Sequence, residues 1–147
     1  DWLSVVAGEP GDQRASAHLP GVNFYNMEWI GAREQEGKSA RYGQQMPGWG
    51  GPNFWVNNPD RERDLQVRVT YLTDEPGRVQ VYDGNKYHDI GELVAGDEWR
   101  TDTWTVSRDI LAGDDINYGK RLPGFNVLMQ FASPGVWVHS IEVRASE

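Results

Sequence analysis

Residues 64–72 read Asp-Leu-Gln-Val-Arg-Val-Thr-Tyr-Leu and carry the clearest secondary-structure pattern in the chain. Its apolar side chains, at Leu65, Val67, Val69 and Tyr71, alternate with polar ones. A period of two is the signature of a β-strand that buries one face and turns the other towards water. The stretch therefore predicts a half-buried strand.

The same alternation continues on the far side of nearby turns. After the turn at residues 74–77, two valines alternate with polar neighbours, so we expect residues 79–82 and 65–71 to form an antiparallel hairpin. Residues 127–131 and 137–143 flank a Ser-Pro-Gly turn, and we expect them to close the sandwich as a second pair.

The phase of the last strands predicts which aromatic side chains are buried. In residues 99–106, Trp104 lies on the apolar face, whereas Trp99 lies on the opposite face, which is rich in threonine. In the final strand, Trp137 and His139 fall on the same face as the apolar side chains of Ile141 and Val143. This pattern predicts that Trp137 and His139 are buried in the core.

Short segments and frequent turns run through the whole chain of 147 residues, which contains 17 Gly and 8 Pro. Roughly eight or nine short strands, with turn signals every ~8–12 residues, indicate an all-β fold. We expect a two-sheet antiparallel β-sandwich of the jelly-roll kind, with a single helical turn within residues 107–112. The length suits one hydrophobic core, so residues 1–147 are expected to be a single domain, excised from a larger protein.

The charge balance and the missing cysteines remove several classes of function. Acidic residues outnumber basic ones by 22 to 14, for a formal net charge of −8, and such a field repels nucleic acid. No apolar run approaches the ~18 residues that a membrane helix needs, so we expect no membrane partner. Without Cys, the chain has no disulfide scaffold, thiolate metal site or cysteine nucleophile.

Several segments resemble strands of carbohydrate-binding modules of the galactose-binding-like jelly-roll type. Residues 48–56 and 64–72 resemble their central strands, residues 98–104 resemble a strand with the pattern Trp-Lys/Arg-Thr-x-Thr, and residues 136–143 resemble their last strand. The resemblance covers about two-thirds of the chain, from residue 48 onward. It implies a non-catalytic, monomeric module, secreted by a bacterium, that tethers a polysaccharide-degrading enzyme to its polysaccharide or oligosaccharide.

Modules of this type often carry one structural calcium ion. Its ligands are a Glu of an early strand, backbone carbonyls and a carboxylate near the last strand. Glu28 matches the early Glu, although no matching Asp lies near the last strand. The resemblance therefore implies one calcium ion, with Glu28 as its candidate ligand.

Aromatic side chains in glycine-rich and polar loops are the candidates for sugar contacts. A sugar ring has a C–H-rich face edged with hydroxyls, so its binding takes exposed aromatic rings and planar polar groups. Trp49 stands among glycines, where it could equally anchor the loop, and residues 83–89 combine a ring with several donors and acceptors. The predicted carbohydrate-binding residues are Trp49, Asn85, Tyr87, His88, Trp99 and Tyr118.

Two other functions stay open on the sequence. A small polysaccharide lyase could use Tyr87 or His88 with an Arg, and a glycoside hydrolase could use a carboxylate pair ~5–5.5 or ~6.5–9.5 Å apart. A structural sandwich between the domains of a secreted enzyme would instead bury its rings. Zinc-protease, serine-hydrolase and phosphate-loop motifs are missing from the sequence, so we predict no catalytic residues.

Overall fold

The computed structural model describes residues 2–9, 21–24, 29, 33–45, 51–57, 62–111, 116–118, 122–125 and 127–146, with the backbone alone at a few strand positions that include Trp55 and Tyr118. The strands are β1 (Leu3–Val6), β2 (Gly21–Asn23), β3 (Arg33–Gln35), β4 (Lys38–Gly43), β5 (Asn53–Asn57), β6 (Leu65–Leu72), β7 (Gly77–Tyr82), β8 (Tyr87–Leu93), β9 (Arg100–Val106), β10 (Ile116–Tyr118), β11 (Leu122–Phe125), β12 (Val127–Ala132) and β13 (Val136–Ala145). The predicted helical turn is confirmed as α1 (Arg108–Leu111). In the part of the chain that is described, no helix is long and apolar enough to cross a membrane.

Most strands belong to two antiparallel sheets. Sheet I has the order β3-β4-β13-β6-β9, and β1 also pairs with β13. Sheet II has the order β2-β5-β12-β7-β8, while β10 and β11 form a separate two-stranded ladder. The prediction of a two-sheet antiparallel β-sandwich is confirmed.

The inward faces of the two sheets meet in one apolar core. The alternating side chains of β6 are fully buried, as the sequence predicts. Trp29 joins this core with its ring edge-on to Phe24, at a centroid distance of 5.1 Å, and its Nε1 donates to the carbonyl oxygen of Asn53 at 2.6 Å. Other fully buried members of the same cluster are Phe54, Val79, Val81, Met129, Phe131, Val138, Ile141 and Val143.

The expected hairpin of β6 and β7 is wrong, because the two strands lie in different sheets. The expected pairing of β12 with β13 is wrong for the same reason. The connections that cross between the sheets are bonded to each other, since Thr73 Oγ1 donates to the carbonyl oxygen of Gly135 at 2.7 Å. The strands β6, β7, β12 and β13 all bury one face in the same core. Their alternating pattern therefore does not show whether two consecutive strands pair in one sheet or lie in different sheets.

β13 changes phase at a β-bulge between Val138 and Ser140. A bulge inserts one extra residue into a strand. Two residues that are two positions apart normally share a face of the sheet, but they point to opposite faces when the bulge lies between them. Val138 faces the core, whereas Trp137 and His139 lie on the outer face of sheet I and are only half-buried. The prediction of both side chains as core residues is therefore wrong.

Candidate functional site

The middle of the outer face of sheet I is filled by contacts among its own side chains. Arg68 donates two hydrogen bonds to Glu142, from Nε at 3.0 Å and from Nη2 at 2.9 Å. The Trp2 ring lies against two guanidinium groups, with its centroid 4.0 Å from Cζ of Arg68 and 4.3 Å from Cζ of Arg144. These groups satisfy one another and leave little hydrogen-bonding capacity for a ligand.

The outer face of sheet II carries two rows of side chains that run across its strands. The register puts Gln130 of β12 between Asn53 of β5 and Gln80 of β7, and Asp89 of β8 follows Gln80. The neighbouring row passes through the positions of Trp55, Leu128, Tyr82 and Tyr87. We call the surface formed by Arg78, Gln80, Tyr82, Tyr87, Asp89 and Gln130 the tyrosine–glutamine face.

Two tyrosine rings lie side by side at the β7–β8 edge of this face. Tyr82 and Tyr87 are directly opposite in the ladder, with ring centroids 4.9 Å apart and planes inclined at 39°. Tyr87 is 44% exposed, and Tyr82 donates its hydroxyl proton to the carbonyl oxygen of Gly84 at 3.0 Å. The pair thus presents an aromatic surface to solvent, with one ring held in place by a hydrogen bond.

The polar row is a chain of hydrogen bonds with one unsatisfied end. Gln130 Nε2 donates to Gln80 Oε1 at 2.8 Å, and Gln80 Nε2 donates to Asp89 Oδ1 at 2.9 Å. Arg78 Nη1 lies 3.6 Å from the other carboxylate oxygen of Asp89. Among the described residues, Gln130 Oε1 has no hydrogen-bond partner although it is buried. Such an acceptor costs about 1–3 kcal/mol of stability.

The β7–β8 turn beside the tyrosine pair is held by Asp83. Its Oδ1 accepts the backbone N–H groups of Asn85 at 2.7 Å and of Lys86 at 2.8 Å, and its Oδ2 accepts from His88 Nε2 at 2.7 Å. The hydrogen bond from His88, together with the two backbone donors, lowers the pKa of Asp83 to about 2. The carboxylate is therefore ionised at neutral pH and fixes the turn that leads into Tyr87.

The three residues predicted in this loop, Asn85, Tyr87 and His88, do not all lie on the same surface. Tyr87 lies on the tyrosine–glutamine face, and Asn85 lies at the exposed tip of the adjoining turn. His88 has the opposite phase to Tyr87, because it pairs with the core residue Val81, and its ring bonds to the turn through Asp83. Tyr87 is therefore exposed on this face, Asn85 is exposed in the turn beside it, and His88 supports the turn.

Trp99 belongs to the other side of the sandwich. Its Nε1 donates to the carbonyl oxygen of Glu36 at 3.2 Å, and its ring meets the ring of His139 edge-on at 6.1 Å. His139 is itself bonded to the carbonyl oxygen of Ser39 at 2.7 Å, through Nδ1. Trp99 and Tyr87 therefore do not share a surface.

The remaining predicted residues have no described side chain. Trp49 and Glu28 lie outside the described residues, and Tyr118 is described only through the backbone of β10. Within the described ranges, no group of three or more His, Cys, Asp or Glu side chains is placed to hold a metal ion. The calcium ion stays a prediction.

Five residues of the tyrosine–glutamine face are missing from the sequence-based selection: Arg78, Gln80, Tyr82, Asp89 and Gln130. The alternation in residues 79–82 already gives Gln80 and Tyr82 the outward phase, so an outward tyrosine next to a polar position was a usable signal. Gln130 could not be joined to them in the same way. Its place beside Gln80 depends on the β12–β7 pairing, which crosses about 50 residues of sequence.

No protein-family model and no curated protein matches the sequence. Solved structures match over nearly the whole chain. One is a family 29 carbohydrate-binding module, CBM29_1, from Piromyces equi, at 11% identity and a TM-score of 0.58, covering 97% of this chain and 89% of that one. Another is a mutant of CBM29-2 complexed with mannohexaose, at 14% identity and a TM-score of 0.54, covering 99% of this chain and 93% of that one. These likenesses show that the chain has the two-sheet fold of such carbohydrate-binding modules, which confirms the resemblance in fold.

Proposed function

We propose that this protein binds carbohydrate through the tyrosine–glutamine face. The observation that carries the proposal is the exposed ring of Tyr87, packed beside Tyr82 and next to a row of amide and carboxylate groups. The C–H-rich face of a sugar would stack on the rings, while its hydroxyls exchange hydrogen bonds with the polar row. The fold, which is that of carbohydrate-binding modules, supports the same function.

The charge of the face favours a neutral glycan. The half-buried amide of Gln80 can donate and accept hydrogen bonds, which matches the double character of a hydroxyl, and the buried amide of Gln130 holds it in place. Arg78 and Asp89 carry opposite charges 3.6 Å apart, so they offset each other instead of forming a cationic patch. A sulfated or uronate polymer would need such a patch to overcome the net charge of −8.

The length of the accessible part of the face favours an internal stretch of a glycan chain. It follows β7 from Arg78 to Tyr82, and a strand rises ~3.3 Å per residue, so it extends over about 13 Å. Such a face offers contacts to consecutive sugar rings instead of enclosing one chain end. Because a structure of the same fold was solved with mannohexaose, we propose mannose-containing polysaccharides as the first candidates.

Electrophoresis in native gels that contain dissolved polysaccharide tests this function. The panel would be galactomannan, glucomannan, xylan and hydroxyethylcellulose, with wild-type protein run beside Tyr87→Ala. We expect at least one neutral polysaccharide to retard the wild-type protein, and the substitution to remove most of the retardation. Folded wild-type protein that none of the polysaccharides retards would exclude the proposed function.

We further infer that the module acts outside the cell as a monomer tethered to a polysaccharide-degrading enzyme. Support comes from the fold and from the carbohydrate-binding modules that share it. Fusion to a glycanase that lacks a binding module would test the tethering. The fusion is expected to raise turnover of insoluble polysaccharide several-fold and to leave turnover of soluble substrate unchanged. Equal turnover of the insoluble substrate by the fusions with wild-type and Tyr87→Ala modules would contradict this role.

A further inference from the structure

A cavity of about 350 Å³ opens on the opposite side of the sandwich from the tyrosine–glutamine face. It lies at the end of sheet I where β4, β6 and β13 come together, below the turn between β3 and β4. Its volume is at the lower end of the range of about 300–1,000 Å³ for small-molecule sites. A cavity of this size suits one or two sugar rings and is too small for a long chain.

The floor of the cavity is aromatic. Trp137 and Tyr42 occupy opposite positions in the β13–β4 ladder, with ring centroids 4.8 Å apart and planes inclined at 51°. Both side chains are half-buried and line the cavity. The guanidinium of Arg33 lies 5.7 Å from the Trp137 ring centroid, a geometry in which the ring attracts a cation. Arg33 takes up this cation contact, and the half-buried rings of Trp137 and Tyr42 offer the floor a surface for the C–H face of a sugar.

Three acidic residues line the same cavity. Glu36, Asp74 and Asp97 come from three different connections, and all three residues are exposed. Among the described residues that line the cavity none is basic, and Arg33, beside the floor, offsets only one of the three negative charges. Carboxylates accept hydrogen bonds from sugar hydroxyls and attract a protonated amine more strongly, whereas they repel a carboxylate on the ligand.

Hydrogen bonds hold the walls of the cavity in place. Thr73 Oγ1 donates to the carbonyl oxygen of Gly135 at 2.7 Å, and the backbone N–H of Gly96 donates to the carbonyl oxygen of Thr73 at 2.9 Å. On the opposite wall, Trp99 Nε1 donates to the carbonyl oxygen of Glu36 at 3.2 Å. A site that is already formed loses less entropy when a ligand binds. Trp99 thus supports this cavity through the backbone of Glu36.

We propose that this cavity is a second sugar-binding site, which takes a single terminal pyranose and prefers an amino sugar to a uronic acid. The ring of the sugar stacks on Trp137 beside Tyr42, and its hydroxyls or its ammonium group meet the carboxylates of Asp74 and Asp97. This site goes beyond the proposed function and does not depend on it, because the two surfaces lie on different sheets. A protein with both sites would hold a chain on one side and a sugar terminus on the other.

NMR spectroscopy of the tryptophan indole N–H groups tests the proposal directly. The signal of Trp137 is assigned by its loss in Trp137→Phe, and wild-type protein is titrated at about pH 6 with glucosamine, glucose and glucuronate, each up to about 50 mM. We expect glucosamine to shift the Trp137 signal with about 3–10-fold higher affinity than glucose, and glucuronate to bind most weakly. The preference for glucosamine is expected to shrink with added salt, because exposed charges are screened.

Two variants separate this site from the tyrosine–glutamine face. Asp97→Asn removes one exposed carboxylate and is expected to reduce the preference for glucosamine over glucose without changing the stability. Tyr87→Ala, on the other sheet, is expected to leave the titration unchanged although it weakens retardation by polysaccharide. The proposal is overturned if none of the three sugars moves the Trp137 signal, or if glucuronate binds as tightly as glucosamine. A normal titration of Trp137 without polysaccharide retardation would overturn the proposed function alone.

Discussion

The rings of Tyr82 and Tyr87 face each other across the β7–β8 ladder, with their centroids 4.9 Å apart. A turn that Asp83 closes through three hydrogen bonds separates the two residues in sequence. Because β8 is the edge strand of sheet II and β7 lies next to it, the pair borders the polar row at the edge of the sheet. The position of these rings is the basis of the proposed carbohydrate site.

Replacement of Tyr87 by Ala is expected to weaken polysaccharide binding at least about tenfold, which corresponds to about 1.4 kcal/mol. The loss follows from removal of an exposed stacking surface. Tyr87→Phe keeps the ring and is expected to retain most of the affinity. Val94→Ala serves as a matched control, because Val94 is equally exposed, at 44%, and lies away from the tyrosine pair. Calorimetric titration measures all three, and equal losses for Tyr87→Ala and Val94→Ala would contradict the prediction.

Gln130→Met is expected to weaken binding about fivefold while it changes the free energy of unfolding by less than about 1 kcal/mol. The substitution removes the hydrogen bond that holds the Gln80 amide in place for the ligand, but it also removes the buried amide oxygen that has no partner among the described residues. These two effects on stability oppose each other. Urea unfolding measures the stability of the variant, and calorimetric titration measures its affinity. Large destabilisation with unchanged affinity would show that Gln130 serves the core and not the ligand.

The sequence predicts the faces of the strands better than their partners. The alternation in residues 64–72 gives the correct buried face of β6, because each side chain of a strand points to the opposite side from its neighbour. The same alternation gave the wrong partner for β6, since a neighbouring strand in either sheet would bury the same side chains. The position of Trp137 was missed because a bulge two residues later reverses the phase of β13.

The candidate site could be predicted only in part for a related reason. The sequence identifies Tyr87 because its loop combines a ring with several hydrogen-bond donors and acceptors within a few residues. Trp99 was grouped with it because both occupy polar contexts, although their strands lie in different sheets. Grouping Gln130 with Gln80 requires the order of strands in sheet II, and no local pattern contains that order.

Gly91→Ala is expected to destabilise the fold by about 1–3 kcal/mol, because the new Cβ would overlap the Trp104 ring that packs against this glycine. Gly91 lies at the bulge of the β7–β8 ladder, where β8 approaches β9 of the other sheet. Gly96→Ala is the matched control, since a Cβ there meets nothing within 4 Å. Urea unfolding is expected to leave Gly96→Ala within about 0.5 kcal/mol of wild type. Equal stability of the two variants would contradict the close approach of Trp104 to Gly91.

Tyr71 is expected to make the stability fall at high pH. Burial and a 2.6 Å hydrogen bond to Asp102 raise the pKa of Tyr71 from 10.0 to about 12. The folded protein therefore holds this proton more tightly than the unfolded chain does. The contribution is fully present below pH 10 and is lost as the pH rises from 10 through about 12, by about 2–3 kcal/mol in total.

Tyr71→Phe removes the titrating hydroxyl and so tests whether Tyr71 causes the loss of stability at high pH. The variant is expected to be less stable than wild type at neutral pH, because the hydroxyl also accepts the backbone N–H of Val94 at 2.9 Å. Its stability is then expected to fall less steeply than that of wild type above pH 10, as measured by urea unfolding across the range. Parallel pH profiles for the two proteins would show that Tyr71 does not carry the effect.

Chemical-shift mapping of the backbone and side-chain amides would locate the carbohydrate-binding surface. The ligand is a soluble oligosaccharide of whichever polysaccharide retards the protein most in the native gel. Binding through the tyrosine–glutamine face predicts the largest shifts in β7 and β8, together with the side-chain amides of Gln80 and Gln130. No retardation by any polysaccharide, or shifts confined to the strands of sheet I, would contradict the claim.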